Sequence, residues 1–217
     1  MTYKRSQVED AICRANLVGN PARSKMLTRM KRLFDIDREL LPKRGTDRKQ
    51  RYAFFSEKGP GAGNETSFQE YEVFALSVAL LMAAQGVPQI DIIEILRSLR
   101  PNLEAEHQRI LAKPLDQPPE IVRAIREGRI DMSMRDPVFL CVTQAIDRPV
   151  SFVTKSGLTG NLVRSNEDLW NLFVSNNRRA ITALELSLLP HTLHWQLTTI
   201  EPRRKGRPWP KKTPARS

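Results

Sequence analysis

Apolar residues recur at three- and four-residue steps along much of this chain, most clearly in SFQEYEVFALSVALLMAAQ, residues 67–85. Phe68, Tyr71, Phe74, Ala75, Val78, Leu81 and Met82 share one helical spacing there, which predicts an α-helix. Gly86 supplies a stop, and Pro88 suits the first turn of a second helix, PQIDIIEILRSLR (88–100). The two form a helical hairpin with an apolar interior. A shorter helix is expected over PNLEAEHQRILAKP (101–114). Upstream, SQVEDAICRAN (6–16) places Val8, Ile12 and Ala15 together, and Ser6 followed by Glu9 has the form of a capping box. LVGNPA (17–22) interrupts it. The next helix should run through 22–41 with Leu27, Met30, Leu33, Phe34, Leu40 and Leu41 as its apolar stripe, ending at Pro42.

The pattern changes over 43–65. Gly45, Thr46 and Asp47 mark a turn, RYAFF (51–55) reads as a short strand, and GPGAGN (59–64) is loop. LDQPPE (115–120) is the best linker candidate. Beyond it come a short helix, PEIVRAIREGRI (119–130), and two β-rich runs, PVFLCV (137–142) and VSFVT (150–154). SNEDLWNLFVSN (165–176) is a helix opening at Ser165. RRAITALELSLLPHTLHWQL (178–197) fits either a strand entering a helix or one bent helix. The expected fold is mainly α with a small β component (α+β). The expected organisation is an N-terminal domain over 1–114, a linker over 115–120, a small α+β domain over 121–201 and a disordered basic tail over 202–217.

Charge sharpens this division. The 217 residues carry 35 Lys/Arg against 24 Asp/Glu, for a net charge of +11. Residues 1–58 hold fifteen Lys/Arg against seven Asp/Glu, and 201–217 hold seven against one. The intervening 59–200 is mildly acidic, with thirteen against sixteen. Basic ends around a near-neutral body are the distribution of a polyanion binder. Two cysteines, Cys13 and Cys141, do not make a disulfide framework, and a reducing compartment is the simpler expectation. VFALSVALLMAA (73–84) is too short to span a bilayer, and MTYKRSQVED lacks the apolar core of a secretory signal. A cytoplasmic, nucleoid-associated protein with no membrane partner is expected.

Lys25, Arg29 and Arg32 lie at i, i+4 and i+7 of the second helix, opposite its apolar stripe, with Ser24 and Thr28 beside them. Alone, such a stripe is a solvated helix face. Here it is followed by Lys43, Arg44, Arg48, Lys49 and Arg51, which a strand-turn-strand would present as a basic wing. Helix, break, basic helix, basic hairpin and helical pair is the order of a winged helix-turn-helix. The stripe and its two hydroxyl neighbours would face the major groove, and Arg44, Arg48, Lys49 and Arg51 would hold phosphates. From RYAFFSE onward, TSFQEYEVFALSVALLMAAQGVPQIDIIEILRSL (66–99) is similar to the second half of MerR-type DNA-binding domains, in which a helix opening near a tyrosine ends at a glycine and a short helix follows. The family's opening helix-turn-helix with its arginine-tyrosine-tyrosine run is absent, so the resemblance implies the DNA-binding topology alone.

At the other end, RRKGRP resembles the AT-hook, a minor-groove motif built on Gly-Arg-Pro with basic flanks; the matching residues are Arg203, Arg204, Lys205, Gly206, Arg207 and Pro208. A narrow A·T minor groove concentrates negative potential that draws in cations. Gly206 would allow close backbone approach, and Pro208 biases Arg207 toward an extended conformation. Lys205 replaces the usual arginine, and Trp209 stands where a basic residue is typical.

Catalytic signatures are weak. His191 and His194 form H-x-x-H without a zincin glutamate, and a third ligand would have to be His107 or Cys141. GPGAGNE (59–65) lacks the lysine and hydroxyl of a P-loop. Asp131, Asp136 and Glu185 have no nuclease spacing. The expectation is a sequence-selective, double-stranded-DNA-binding transcriptional regulator, neither an enzyme nor a cofactor protein. The runner-up is a nucleic-acid-processing enzyme or an excision/recombination accessory factor. Residues 121–201 could serve homodimerisation or ligand sensing.

Overall fold

The computed structural model describes residues 1–16, 20–40, 51–56, 67–113, 137–144, 152–175 and 181–201. In chain order these form β1 (Tyr3–Lys4), α1 (Arg5–Ala15), α2 (Asn20–Glu39), β2 (Ser67–Phe68), α3 (Glu70–Ala84) and α4 (Gln89–Leu111). Then follow β3 (Phe139–Gln144), β4 (Leu158–Val163), α5 (Asn166–Ser175), β5 (Ile181–Glu185) and α6 (Leu189–Thr199). The architecture is α+β and mainly helical, with two small antiparallel sheets, β1-β2 and β4-β3-β5.

The expected helical hairpin is present. α3 is buried from Tyr71 through Leu80 and again at Met82, because α1, α2, α4 and α6 all pack against it. Its end is a Schellman motif: Gly86 takes φ +85°, its N–H donates to the Ala83 carbonyl, and the Val87 N–H donates to the Met82 carbonyl at 3.1 Å. That turn delivers Pro88 to the N-cap of α4.

α4 differs from expectation. It runs unbroken through Pro101, so 88–100 and 101–111 are one helix and not two. A proline removes one helical hydrogen bond, and the buried Ile95, Leu96, Leu103 and Ile110 on either side hold the axis together. α1 also starts one residue early. The Lys4 N–H donates to Gln7 Oε1 at 3.0 Å, and Glu9 pairs with Arg5 instead of reaching back to Ser6. Over 178–197 the strand-then-helix alternative holds. VSFVT is not a strand where it is described, at 152–154; the strand follows instead at β4, after the turn closed by Gly157.

Residues on both sides of 115–120, which lies outside the described residues, contribute to one hydrophobic core. α6 packs along α1 and also touches α3 and α4, and the Gln7 side chain donates to the Ile200 carbonyl at 3.0 Å. β4 lies directly on α4. A Cβ built on Gly160 would sit 2.5 Å from Ile95 Cγ2 and 3.0 Å from Leu99 Cδ1. Gly160→Ala should therefore force the two elements apart at a cost of about 1–3 kcal/mol. A thermal melt reads this directly, and an unchanged midpoint would contradict so close an approach.

Candidate nucleic-acid interface

α2 has two chemically distinct sides. Met30, Leu33, Phe34 and Asp37 are buried, with Leu27 and Leu40 packed at the margin. Ser24, Lys25, Thr28, Arg29 and Arg32 are all exposed, so the fold leaves the five sequence-derived positions of this helix together on one solvent face. The Thr28 hydroxyl donates to the Ser24 carbonyl at 3.0 Å, which turns it toward its own backbone. Lys31, which sequence reasoning passed over, is also exposed. At roughly 100° per residue it lies about a quarter-turn round the helix from Arg32.

The cations of this face differ from most arginines of the body in lacking counter-ions. Arg5 holds Glu9, Arg23 holds Asp10, Arg38 holds Asp35, Arg100 holds Glu104, and Arg109 and Arg164 share Glu106. Among the described residues Lys25, Arg29, Lys31 and Arg32 form no ion pair. A row of exposed, unneutralised charges costs nothing to desolvate internally and remains available to an external polyanion.

Buried charge positions what comes next in the chain. Asp37 sits on the apolar side of α2, and its carboxylate accepts the Ala53 N–H at 2.9 and 3.0 Å and the Phe54 N–H at 3.0 Å. Arg97 of α4 pairs with that carboxylate at 3.0 Å and donates to the carbonyls of Asp37 and Leu40. One turn on, Arg100 donates to the carbonyls of Tyr52 at 2.6 Å and Phe55 at 2.7 Å. The Ser56 hydroxyl donates to the buried Glu72 at 2.6 Å. Burial pushes the Asp37 carboxyl above its ordinary range, opposed by the Ala53 N–H and the Arg97 charge. Burial raises Glu72 likewise, opposed by its bonds to Ser56 and Gln69.

This network corrects the expected RYAFF strand. Residues 51–56 form no strand, because side chains of α2 and α4 take the backbone groups that a neighbouring strand would have used. Ala53, Phe54 and Phe55 are buried beneath it, with Phe34 and Phe68 stacked around them. Arg97 and Arg100 thus hold Leu40 and Tyr52 on adjacent turns of α4, and the chain that leaves α2 returns beside it. Arg51 is exposed at that return, with its guanidinium 5.8 Å from the Tyr52 ring. Arg44, Arg48 and Lys49 lie outside the described residues, as do Arg203, Arg204, Lys205, Gly206, Arg207 and Pro208. The signal that sequence reasoning missed was Asp37 itself: an aspartate spaced between Leu33 and Leu40 is a charge on a buried stripe, which requires a partner.

The three histidines lie near one another without forming a metal centre. His107 of α4 is buried between Phe74 and Tyr71, whereas His194 of α6 is exposed and meets Glu70 Oε1 at 2.7 Å. Among the described residues no group of three His, Cys, Asp or Glu side chains has metal-binding geometry. Glu185 accepts the Ser187 N–H at 2.8 Å, and Asp131 and Asp136 lie outside the described residues. Cys13 and Cys141 are free and buried. Among the described residues no helix is long and apolar enough to cross a membrane. No family model, curated protein or solved structure matches the chain.

Proposed function

We propose that this protein is a noncatalytic, sequence-selective binder of double-stranded DNA, acting as a transcriptional regulator in the cytoplasm at the nucleoid. The observation that carries this reading is the unpaired cationic face of α2, set on a body whose other arginines are mostly neutralised in place. From Lys25 through Arg29 to Arg32 is a rise of about 10 Å along the helix, which suits neighbouring phosphates along a groove wall. Ser24 and Thr28 lie beside them as short polar groups.

The segment from Lys43 to Arg51 takes the place of the wing in the MerR-like topology, and its two flanks are tied to α4 by Arg97 and Arg100. Fixing both flanks lowers the entropic cost of bringing the intervening basic residues to a common ligand. The AT-hook-like tail, Arg203 to Pro208, adds a second contact in an adjacent A·T-rich minor groove. Two weak contacts on one chain reinforce each other through effective concentration.

Fluorescence-anisotropy titrations against a mixed-sequence and an A·T-rich duplex, repeated across salt concentrations, test this reading. Each lost phosphate contact flattens log K against log[salt] by about 0.9. Lys25→Gln/Arg29→Gln/Arg32→Gln should therefore flatten it by about 2.7 on both duplexes. Deleting 202–217 should weaken the A·T-rich duplex more than the mixed one. Unchanged affinity and slope in the triple variant would reject α2 as the interface.

A further inference from the structure

The exposed face of α2 changes sign along its length. Lys25, Arg32 and Glu39 stand at i, i+7 and i+14, so they drift by only about 20° per step and line up in one row. All three are exposed, and about 10 Å of helix separates each from the next. Asp35 follows Thr28 at the same interval in the neighbouring row. The face therefore begins with Lys25, Arg29 and Arg32 and ends in carboxylates.

The two acids are not equivalent. Asp35 is taken up by Arg38, three residues on. The Glu39 carboxylate has no ion pair among the described residues. Glu39 is also the last residue of α2, where the helix dipole is already negative. Arg97 meets the carbonyls of Asp37 and Leu40 there, but its charge is balanced by the Asp37 carboxylate. Asp35, four residues before Glu39, adds like-charge repulsion. Glu39 thus works against its own helix. A phosphate backbone that follows the row past Arg32 meets this carboxylate, whereas one that leaves the helix earlier meets only cations.

We propose that Glu39 is a specificity-determining residue of this surface. It repels phosphate at one end of the cationic row, so DNA is held at Lys25, Arg29 and Arg32 and complexes aligned along the whole helix are penalised. The proposal rests on α2 being the DNA-binding surface. The penalty falls on nonspecific complexes, in which the duplex samples many alignments. A complex whose base contacts already fix its alignment is affected less.

Anisotropy titrations of the full chain across salt concentrations test it, on a mixed-sequence duplex and on a duplex enriched from a random pool by the wild-type protein. Glu39→Gln should bind the mixed duplex about fivefold more tightly, the effect of removing one like charge at close range in water. It should also steepen log K against log[salt] by up to about 0.9. The enriched duplex should gain less, so discrimination between the two falls. Glu167→Gln removes an exposed carboxylate from α5 and controls for net charge; it should leave affinity and slope as they are. No change in Glu39→Gln, an equal gain on both duplexes, or the same gain from Glu167→Gln would overturn the proposal. Lys25→Gln/Arg29→Gln/Arg32→Gln separates that failure from failure of the underlying reading. Weakened binding in the triple variant keeps α2 as the interface. Unchanged binding there, or a pool that yields no enriched sequence, removes the reading and the proposal together.

Discussion

Asp37→Ala should destabilise the fold by about 3–5 kcal/mol, the cost of removing one member of a buried ion pair. The substitution leaves the Arg97 guanidinium buried against a void and deprives the Ala53 and Phe54 N–H groups of their acceptor. Each of those losses carries its own desolvation penalty. The effect is a large fraction of the stability of an ordinary domain. Urea unfolding measures it as a fall in the midpoint, and a shift equivalent to under 1 kcal/mol would show that the pair is dispensable. Arg97→Lys separates charge from geometry. It keeps a cation beside Asp37 but cannot also reach the carbonyls of Asp37 and Leu40, so its loss should be smaller and of the same sign. If α2 and the return at Arg51 form one binding surface, Arg97→Lys should weaken DNA binding although it lies away from the contact.

Acid should remove about 3 kcal/mol of stability through His107 alone. The ring is 5% exposed, lies 5.2 Å from the Phe74 ring, and has no hydrogen-bond partner at Nε2. Burial pushes its pKa from 6.5 down to about 4, with the charges of His194 and His191 acting in the same direction. The unfolded chain therefore takes up the proton first as pH falls. The contribution is fully present above pH 6.5, is lost progressively down to about pH 4, and then levels off. Asp37 and Glu72, whose carboxyls burial raises, favour the folded state on protonation and act with the opposite sign. Comparing wild type with His107→Phe cancels their contribution. Urea midpoints from pH 7.5 to 4.5 should fall more steeply for wild type than for the phenylalanine variant. Equal slopes would assign the acid sensitivity elsewhere.

Much of the helical layout was legible because it rests on local signals. The spacing of Tyr71, Phe74, Val78 and Met82 identifies α3, and Gly86 with Pro88 marks the turn into α4. Ser165 caps α5 as expected, accepting the Asp168 N–H at 2.9 Å. The exposure of Ser24, Lys25, Thr28, Arg29 and Arg32 follows from the same periodicity, because an apolar stripe on one side of α2 determines which side faces water.

The misreadings came where long-range partners decide. RYAFF has the composition of a strand, yet a strand needs a ladder. The nearest groups able to satisfy this backbone belong to Asp37, 16 residues earlier, and Arg100, 45 residues later. Pro101 looked like a boundary because its missing N–H is a local fact, whereas the packing that carries α4 through it is not. VSFVT was as apolar as a strand requires, but β3 pairs instead with 158–163, where Gly160 allows the sheet to lie against Ile95.

By itself the sequence determined the helical periods, their stops, and the segregation of positive charge to the two ends, since each depends on neighbours within a turn or on a count of charges. Only the tertiary structure decided which charges meet a partner from a distant part of the chain. It brought Asp10 to Arg23 and Asp37 to Arg97 across 13 and 60 residues of chain, whereas Arg38 with Asp35 and Arg100 with Glu104 pair within a single helix. It also left Trp170 without cover while burying Phe54 and Phe74 completely. Pairing between elements and burial are properties of distances in space, and only the pairs within a helix follow from spacing along the chain.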